Sequence, residues 1–237
     1  MPQRPLPRPG SPRALDDVAD WIFDLDNTLY PARCRLFDQV DRRIGLFIEE
    51  RLGLDAGAAR ALQKEYFRQH GTTLSGLMTH HGVEPEVFLD FVHEIDVTPV
   101  EPSPALDSAL ARLPGRKFIF TNGSRAHAAR VTERLGVSRH FEGVFDIADA
   151  GYVPKPDPAT YDRLLNRYAI APARAAMIED LPRNLRPAAA LGMTTVLVLT
   201  GEEWAGIDAA GDHIHHVTDD LVSWLAAQAP APARLLG

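Results

Sequence analysis

The 237-residue sequence has a single cysteine, Cys34, which excludes an internal disulfide and is typical of a protein in a reducing compartment. Long hydrophobic runs are also absent: the longest, 188–199, spans about 12 residues, too few to cross a bilayer. Lysines and arginines number 25 against 32 aspartates and glutamates, a net charge of −7, and no basic block occurs beyond the first residues. We therefore predict a cytoplasmic protein with no membrane segment and no nucleic-acid polymer as partner.

Both ends of the chain have little apolar surface to bury. Residues 1–13 hold five prolines and three arginines but no apolar run of the kind that a secretory signal needs, and the last residues, from Ala227 on, are rich in alanine and proline. We expect a disordered arm at 1–13 and a flexible tail at 230–237. Between them, the chain is long enough to bury a core without metal or disulfide staples.

Short apolar runs alternate with helical patterns along the rest of the chain. The runs that predict buried strands are 21–25, 117–121, 143–147, 176–179 and 194–199. One of the helical patterns covers 124–135 and is followed by Gly136, a favourable residue just beyond a helix end. This alternation predicts an α/β fold with a doubly wound, Rossmann-like parallel sheet, whose functional edge is the carboxyl end of the strands.

One interval is too long for this pattern. The first predicted strand ends near residue 25 and the second begins near residue 117, whereas a strand-helix-strand unit takes about 30 residues. Within the surplus, apolar residues such as Phe37, Val40 and Ile44 recur at helical spacing. Since a structureless loop of this length is rare, we predict an all-helical domain at 31–98, inserted into a core formed by 14–30 and 99–229.

Polar residues are clustered where the predicted strands end or in the loops that follow. They are, in chain order, Asp24, Asp26, Thr121, Asn122, Lys155, Glu179 and Asp180. Four neighbouring carboxylates repel one another unless a cation lies among them, and oxygen ligands of this kind favour Mg²⁺, which commonly shares a substrate phosphate. One carboxylate can then attack phosphorus while another transfers protons. The pattern therefore predicts Mg²⁺-dependent phosphoryl chemistry.

In this order, the clusters resemble the four motifs of the haloacid dehalogenase (HAD) superfamily of phosphohydrolases. The motifs are Asp24-x-Asp26-x-Thr28, Thr121-Asn122, Lys155 and Glu179-Asp180. The segments 23–31 and 66–74, together with Thr121-Asn122-Gly123, are similar to the pyrimidine 5′-nucleotidase-type branch. The resemblance implies a helical cap after the first motif and a small phosphorylated substrate, with a pyrimidine nucleotide as the expected one.

The resemblance also implies a role for each motif residue. Asp24 is the expected nucleophile and Asp26 the general acid and base, while Thr121, Asn122 and Lys155 hold the phosphate. The implied metal site consists of Asp24, the backbone carbonyl of Asp26, and Asp180, with Glu179 assisting directly or through water. The cap residues expected to contact the substrate are Tyr30, Tyr66, Thr72 and Thr73, with Phe67 and Phe47 as further aromatic candidates.

Other functions remain open at this stage. The protein could hydrolyse another small phosphate ester such as a sugar phosphate, or cleave a carbon–halogen bond, although a dehalogenase needs neither Asp26 nor Mg²⁺. A non-catalytic binding protein on the same scaffold is disfavoured by the intact motif set.

His213, His215 and His216 lack the spacing of a metal site and precede a predicted helix cap at 217–220. The assembly is expected to be a monomer or homodimer.

Overall fold

A computed structural model describes residues 13–201 and 211–228 of the chain. Residues 1–12 of the expected arm and the whole expected tail lie outside this part. The strands are β1 (Asp20–Phe23), β2 (Arg116–Phe120), β3 (Gly143–Phe145), β4 (Ala175–Glu179), β5 (Thr194–Val198) and β6 (His216–Thr218). The helices are α1 (Leu36–Leu52), α2 (Ala56–His70), α3 (Thr73–His81), α4 (Pro85–Val92), α5 (Pro104–Arg112), α6 (Arg125–Leu135), α7 (Pro158–Tyr168), α8 (Pro182–Ala190) and α9 (Leu221–Gln228).

The strands form a parallel sheet in the order β3-β2-β1-β4-β5-β6. Chain order reverses beside β1, because its neighbours are β2 on one side and β4 on the other. In sheets of this type, ligands bind at that switch point, outside the carboxyl ends of the strands. The doubly wound α/β fold predicted from the alternation of runs is confirmed.

Apolar side chains cover both faces of the sheet, since successive residues of a strand point to opposite sides. Trp21 and Phe23 belong to one buried core and Ile22 to the other. Helices α5, α6 and α9 contribute to the first core, and α7 and α8 contribute to the second. The packed layers hold β1, with all four of its residues buried, in the centre of the molecule.

Helices α1 to α4 fill the interval between β1 and α5, in agreement with the predicted helical cap. Local sequence sets their ends: Asp55 caps α2 by accepting from the Ala58 amide, and Gly53 ends α1 with φ +67°. The apolar interior of these helices is continuous with the first core of the sheet. The boundaries of the cap at residues 31 and 98 stay a prediction.

The predicted strands match β1 to β5 with ends that differ by one or two residues. Strand β6 is not predicted by the sequence, because its three residues include only one aliphatic side chain. It forms where 216–218 pairs with β5. The helix cap expected at 217–220 therefore applies to Asp220, whose Oδ1 accepts from the Ser223 amide at the start of α9, and not to Val217 or Thr218.

None of the helices in 13–201 and 211–228 is long and apolar enough to pass through a lipid bilayer.

Candidate active site

Strand register brings the carboxylates of the first and fourth motifs together. Phe23 of β1 pairs with Ile178 of β4, so Asp24 follows directly beside Glu179. The Asp24 amide donates to the Ile178 carbonyl at 2.9 Å, which extends the parallel pairing by one residue. The two side chains therefore leave the sheet at the same level of its carboxyl edge.

Lys155 lies between these two carboxylates and is itself fully buried. Its Nζ donates to Asp24 Oδ1 at 2.7 Å, to Glu179 Oε2 at 2.7 Å and to the Phe120 carbonyl at 2.8 Å. The three acceptors use the three ammonium protons, so the charge is held at one point with little freedom. Although burial opposes it, the charges of Asp24 and Glu179 hold the pKa of Lys155 above its usual range.

A group of buried acids at this edge is suited to a divalent cation. Asp24, Glu179 and Asp180 each offer a carboxylate oxygen, and these oxygens lie within 4.8 Å of one another. Burial, followed by the charge of Glu179, raises the pKa of Asp24 to about 7 and also raises that of Asp180. One lysine does not neutralise this group, and hard oxygen donors favour Mg²⁺, so the residues present fit that ion. The Asp26 carboxylate is not in this group.

The carboxylate of Asp26 has its own set of partners. Its Oδ1 accepts from the Tyr30 hydroxyl at 2.6 Å and lies 2.8 Å from His127 Nε2. Burial by itself would raise the pKa of Asp26, but the charge and hydrogen bond of His127, with the Tyr30 hydrogen bond, lower it to about 2. Asp24 and Asp26 are thus only two residues apart yet lie in opposite electrostatic environments.

The second motif holds the loop that carries Lys155. Asn122 Oδ1 accepts from the Lys155 amide at 2.8 Å, and its Nδ2 donates to the Lys155 carbonyl at 3.3 Å. The Lys155–Pro156 peptide bond of this loop is cis. Thr121 is buried beside it, and its Oγ1 accepts from the Gly123 amide at 2.9 Å. Asn122 therefore orients the lysine loop in this structure, while Thr121 and Asn122 both face the cavity described next.

A cavity of about 620 Å³ lies between the carboxyl edge of the sheet and the helices α1 to α4. Its core side includes every residue expected to act in catalysis, phosphate binding or metal binding: Asp24, Asp26, Thr121, Asn122, Lys155, Glu179 and Asp180. We call its other side the cap wall, formed by residues of α1 and α2 that include Phe37, Asp41, Arg60, Lys64, Phe67 and Arg68. Thr72 and Thr73 also line the cavity. Phosphate chemistry and leaving-group contacts can therefore share one enclosed space.

Two aromatic residues expected at the substrate lie elsewhere. Tyr30 is buried beneath Asp26, with its hydroxyl bonded to it, and does not line the cavity. Tyr66 packs inside the cap, with its hydroxyl 2.7 Å from His81 Nε2, and also does not line the cavity. Its neighbour Phe67 lines the cavity instead, because consecutive helical side chains point about 100° apart. Of the two aromatic candidates on α2, Phe67 faces the cavity and Tyr66 does not.

The two cap threonines differ in what holds them. Thr73 is buried, and its hydroxyl donates to the Gln63 carbonyl at 3.2 Å, which fixes α3 against α2. Thr72 caps α3 by accepting from the Ser75 amide at 3.1 Å. Both side chains have local structural partners in addition to their place at the cavity.

Sequence reasoning did not identify His93 and His127 as site residues. His127 is buried next to Asp26, and His93 stacks on it with ring centroids 4.5 Å apart. His127 follows the second motif by one helical turn, in Ser124-Arg125-Ala126-His127, and that spacing was the available signal. His93 has no such signal, because it reaches the site through the packing of the cap on the core.

Comparisons with known proteins identify a family and related sequences. A family model described as haloacid dehalogenase-like hydrolase matches residues 22–192. Phosphate metabolism protein 8 of Saccharomyces cerevisiae is 26% identical over 215 residues, which cover 82% of this chain and 64% of the yeast protein. Enolase-phosphatase E1 of Frankia alni is 46% identical over 88 residues, covering 35% of this chain and 36% of that protein. The chain thus spans less than two thirds of either relative.

Among solved structures, the defluorinating L-2-haloacid dehalogenase Rha0230 has the same fold, with a TM-score of 0.58 at 16% identity over 93% of this chain and all of that one. At this identity the likeness concerns the fold alone. The family model, by contrast, spans all four motifs and most of the sheet. The chain belongs to the haloacid dehalogenase-like hydrolase family.

Proposed function

We propose that this hydrolase is a Mg²⁺-dependent phosphomonoesterase that works through an aspartyl-phosphate intermediate. The observation that carries the proposal is the buried group of Asp24, Glu179 and Asp180 with Lys155 bonded among them, open to the cavity. Such a group combines a nucleophilic carboxylate with positive charge for a phosphate dianion. The names of both relatives, which refer to phosphate metabolism and to a phosphatase, support the same class.

Each residue of the core side has a distinct task in this proposal. Mg²⁺ held by Asp24, Asp180 and the Asp26 carbonyl, with Glu179 nearby, would neutralise phosphate charge when bound. A carboxylate oxygen of Asp24 attacks phosphorus while the bond to the leaving oxygen breaks. Asp26, whose protonated form is favoured by the negative charge of a bound phosphate, protonates that oxygen. Asp26 then removes a proton from the water that attacks phosphorus, which breaks the bond to Asp24 and releases inorganic phosphate. Lys155, Thr121 and Asn122 keep the phosphate and the lysine loop in place.

The cap wall supports a leaving group that carries a ring. Phe67 is 44% exposed, and the Arg183 guanidinium lies over its ring with Cζ 4.5 Å from the centroid. A planar base can stack on this pair. Lys64, one turn earlier in α2, and Arg68, the residue after Phe67, are exposed and supply positive charge at the same wall. We therefore propose nucleoside monophosphates as substrates, with pyrimidine nucleotides among them.

A sugar phosphate is the alternative within the same chemistry. A sugar would need hydroxyl and amide partners on the cap wall, and Gln63, the amide of that wall, already bonds Asp41 at 2.7 Å. Carbon–halogen cleavage is the second alternative. It needs neither an acid–base group at Asp26 nor Mg²⁺, whereas this chain keeps Asp26 and an acidic group that fits Mg²⁺ at its cavity.

Hydrolysis of p-nitrophenyl phosphate in the presence and absence of Mg²⁺ tests the proposed reaction. We expect turnover that EDTA stops and Mg²⁺ restores, and no release of halide from haloacetate. A panel of UMP, CMP, AMP and sugar phosphates, compared by kcat/KM, then tests the substrate. A preference for sugar phosphates would contradict the nucleotide assignment and leave the phosphatase one in place.

A further inference from the structure

The two hydrogen-bond partners of Asp26 meet the same carboxylate oxygen. Tyr30 Oη lies 2.6 Å from Oδ1, and His127 Nε2 lies 2.8 Å from it. No residue within 13–201 and 211–228 makes a hydrogen bond to the other oxygen, Oδ2. The torsion that turns a carboxylate about its Cβ–Cγ bond is broad, so two partners on one oxygen remove a freedom that the side chain would otherwise keep.

The residues just before α6 fix the position of His127. Ser124 caps this helix, and its Oγ accepts from the His127 amide at 3.3 Å. The imidazole is 1% exposed, and its Nδ1 is buried without a partner among the described residues. All the polar contact of the ring is therefore directed at Asp26, and a buried nitrogen without a partner is uncommon in folded proteins.

His93 covers the open face of His127 from the cap side. It follows directly after α4, its ring lies within 9° of parallel to that of His127, and its Nδ1 is 3.0 Å from Ser124 Oγ. Gly123 lies beside this stack, since a Cβ there would be in van der Waals contact with both rings, 3.4 Å from His127 Cδ2 and 3.6 Å from His93 Nε2. The last helix of the cap thus contributes a ring to the support of Asp26.

Arginines of α6 hold the chain that follows His93. Arg130 donates to the His93 carbonyl at 2.8 Å and also to the Ile95 carbonyl, and Arg134 donates to the Val100 carbonyl at 2.8 Å. The segment from the cap back to the core is therefore tied to the same helix that presents His127. The position of His93 over His127 depends on how the cap sits on the core.

We propose that Tyr30 and His127 are positioning residues that hold Oδ1 of Asp26, so that Oδ2 is the atom that carries the proton in the reaction, and that His93 supports this arrangement from the cap. The inference rests on the proposed phosphatase function. In the first step Oδ2 gives its proton to the leaving oxygen as the phosphorus–oxygen bond breaks. In the second it takes a proton from the attacking water. Neither step consumes Tyr30, His127 or His93.

The test compares two substitutions at one position. His127→Phe keeps a ring for His93 to stack on but removes the contact to Oδ1, whereas His127→Gln keeps a donor near the place of Nε2. The readout is kcat/KM for a series of aryl phosphates, from p-nitrophenyl phosphate to phenyl phosphate, because this parameter covers the steps up to loss of the leaving group. p-Nitrophenolate needs little protonation and phenolate needs much more.

In His127→Phe we expect kcat/KM for phenyl phosphate to fall roughly 10- to 100-fold, because a misplaced group loses much of its effect. The loss for p-nitrophenyl phosphate should be about threefold at most, so that the dependence on leaving-group pKa becomes steeper. His127→Gln should recover the shallow dependence of the parent protein. Tyr30→Phe, which removes the other partner, should steepen it in the same direction.

His140→Gln is the matched control. His140 Nε2 lies 2.7 Å from Asp107 Oδ1, so it also forms a histidine–aspartate pair, but neither residue lines the cavity. This variant should leave the leaving-group dependence unchanged, and melting temperatures of all variants separate folding defects from effects on the reaction. A parent protein without Mg²⁺-dependent phosphatase activity would overturn the proposed function and this inference with it. An active parent whose His127→Phe variant loses the same factor on every substrate would overturn the inference alone.

Discussion

The two sides of the cavity are built in opposite ways. On the core side, Lys155 is 1% exposed and each of its protons has a defined acceptor within 2.8 Å. On the cap wall, Lys64 and Arg68 are exposed and have no ion-pair partner within the described residues. The core side is organised without a ligand, whereas the cap wall has exposed charged and aromatic side chains that a ligand can contact. Under the proposed function, this difference leads us to expect that the sheet sets the reaction and that the cap selects the substrate.

The largest expected effect comes from removing the nucleophile on the core side. Asp24→Asn keeps the shape of the side chain but cannot form the phosphoryl ester, so kcat should fall by on the order of 10⁴- to 10⁶-fold. Stopped assays with p-nitrophenyl phosphate measure the loss, and mass spectrometry checks that the asparagine has not deamidated. Substantial turnover by the intact variant would remove Asp24 from the mechanism.

Lys155→Met tests whether the core side depends on charge balance for its stability. The change leaves three buried carboxylates without their lysine, and breaking a buried ion pair of this kind costs about 3–5 kcal/mol. Urea denaturation should show this loss in the absence of metal, and saturating Mg²⁺ should restore part of it by supplying positive charge.

Lys117→Met is the control for that measurement. Lys117 is also buried on the sheet, but its Nζ donates to the Leu113 and Gly115 carbonyls and pairs with no carboxylate within the described chain. Lys117→Met should lower the free energy of unfolding by less than Lys155→Met does, and Mg²⁺ should not restore that loss. Equal, metal-independent losses for the two lysines would contradict a role for Lys155 in balancing the acids.

Phe67→Ala tests the cap wall alone. Stacking of a base on an aromatic ring contributes about 1–3 kcal/mol, so kcat/KM for UMP or CMP should fall roughly 5- to 150-fold, while glycerol phosphate, which has no ring, should be nearly unaffected. Leu46 is an exposed apolar residue of α1 that does not line the cavity, so Leu46→Ala should leave kcat/KM unchanged for both substrates. A loss shared by both substrates would indicate that Phe67 supports the cap and does not contact the leaving group.

The smallest expected effect is the number of protons released when Mg²⁺ binds, which depends on the protonation state of Asp24. Burial and the charge of Glu179 raise the pKa of Asp24 to about 7, so this carboxyl is mostly protonated at pH 6 and mostly ionised at pH 8. Because a carboxylate must lose its proton to bind a metal, the binding of Mg²⁺ should release more protons at pH 6 than at pH 8, and the affinity should be higher at pH 8. Calorimetry in two buffers of different ionisation enthalpy measures this release. Equal release at both pH values would contradict the raised pKa.

The sequence predicted the parts of the molecule that depend on local pattern. Apolar runs identified the central strands, and the surplus length identified the helical cap. Polar residues at the strand ends identified Asp24, Lys155 and Asp180, around which the reaction is proposed. Strand β6 was not predicted, and the sequence left open which of the aromatic candidates Tyr66 and Phe67 faces the cavity. A three-residue edge strand is defined by its pairing with β5, and the one-residue difference between Tyr66 and Phe67 depends on which face of α2 meets the core.

The sequence by itself determined the motif residues and the order in which they follow the strands. Chain order and hydrophobic pattern are enough to place these residues at one edge of a parallel sheet. Tertiary structure alone decided how their charges are satisfied. The contacts of Lys155 with Asp24 and Glu179 depend on the register of β1 against β4. The stack of His93 on His127 joins residues 34 positions apart and depends on how the cap packs on the core. Contacts between residues this far apart are determined by packing, and local sequence carries little information about them.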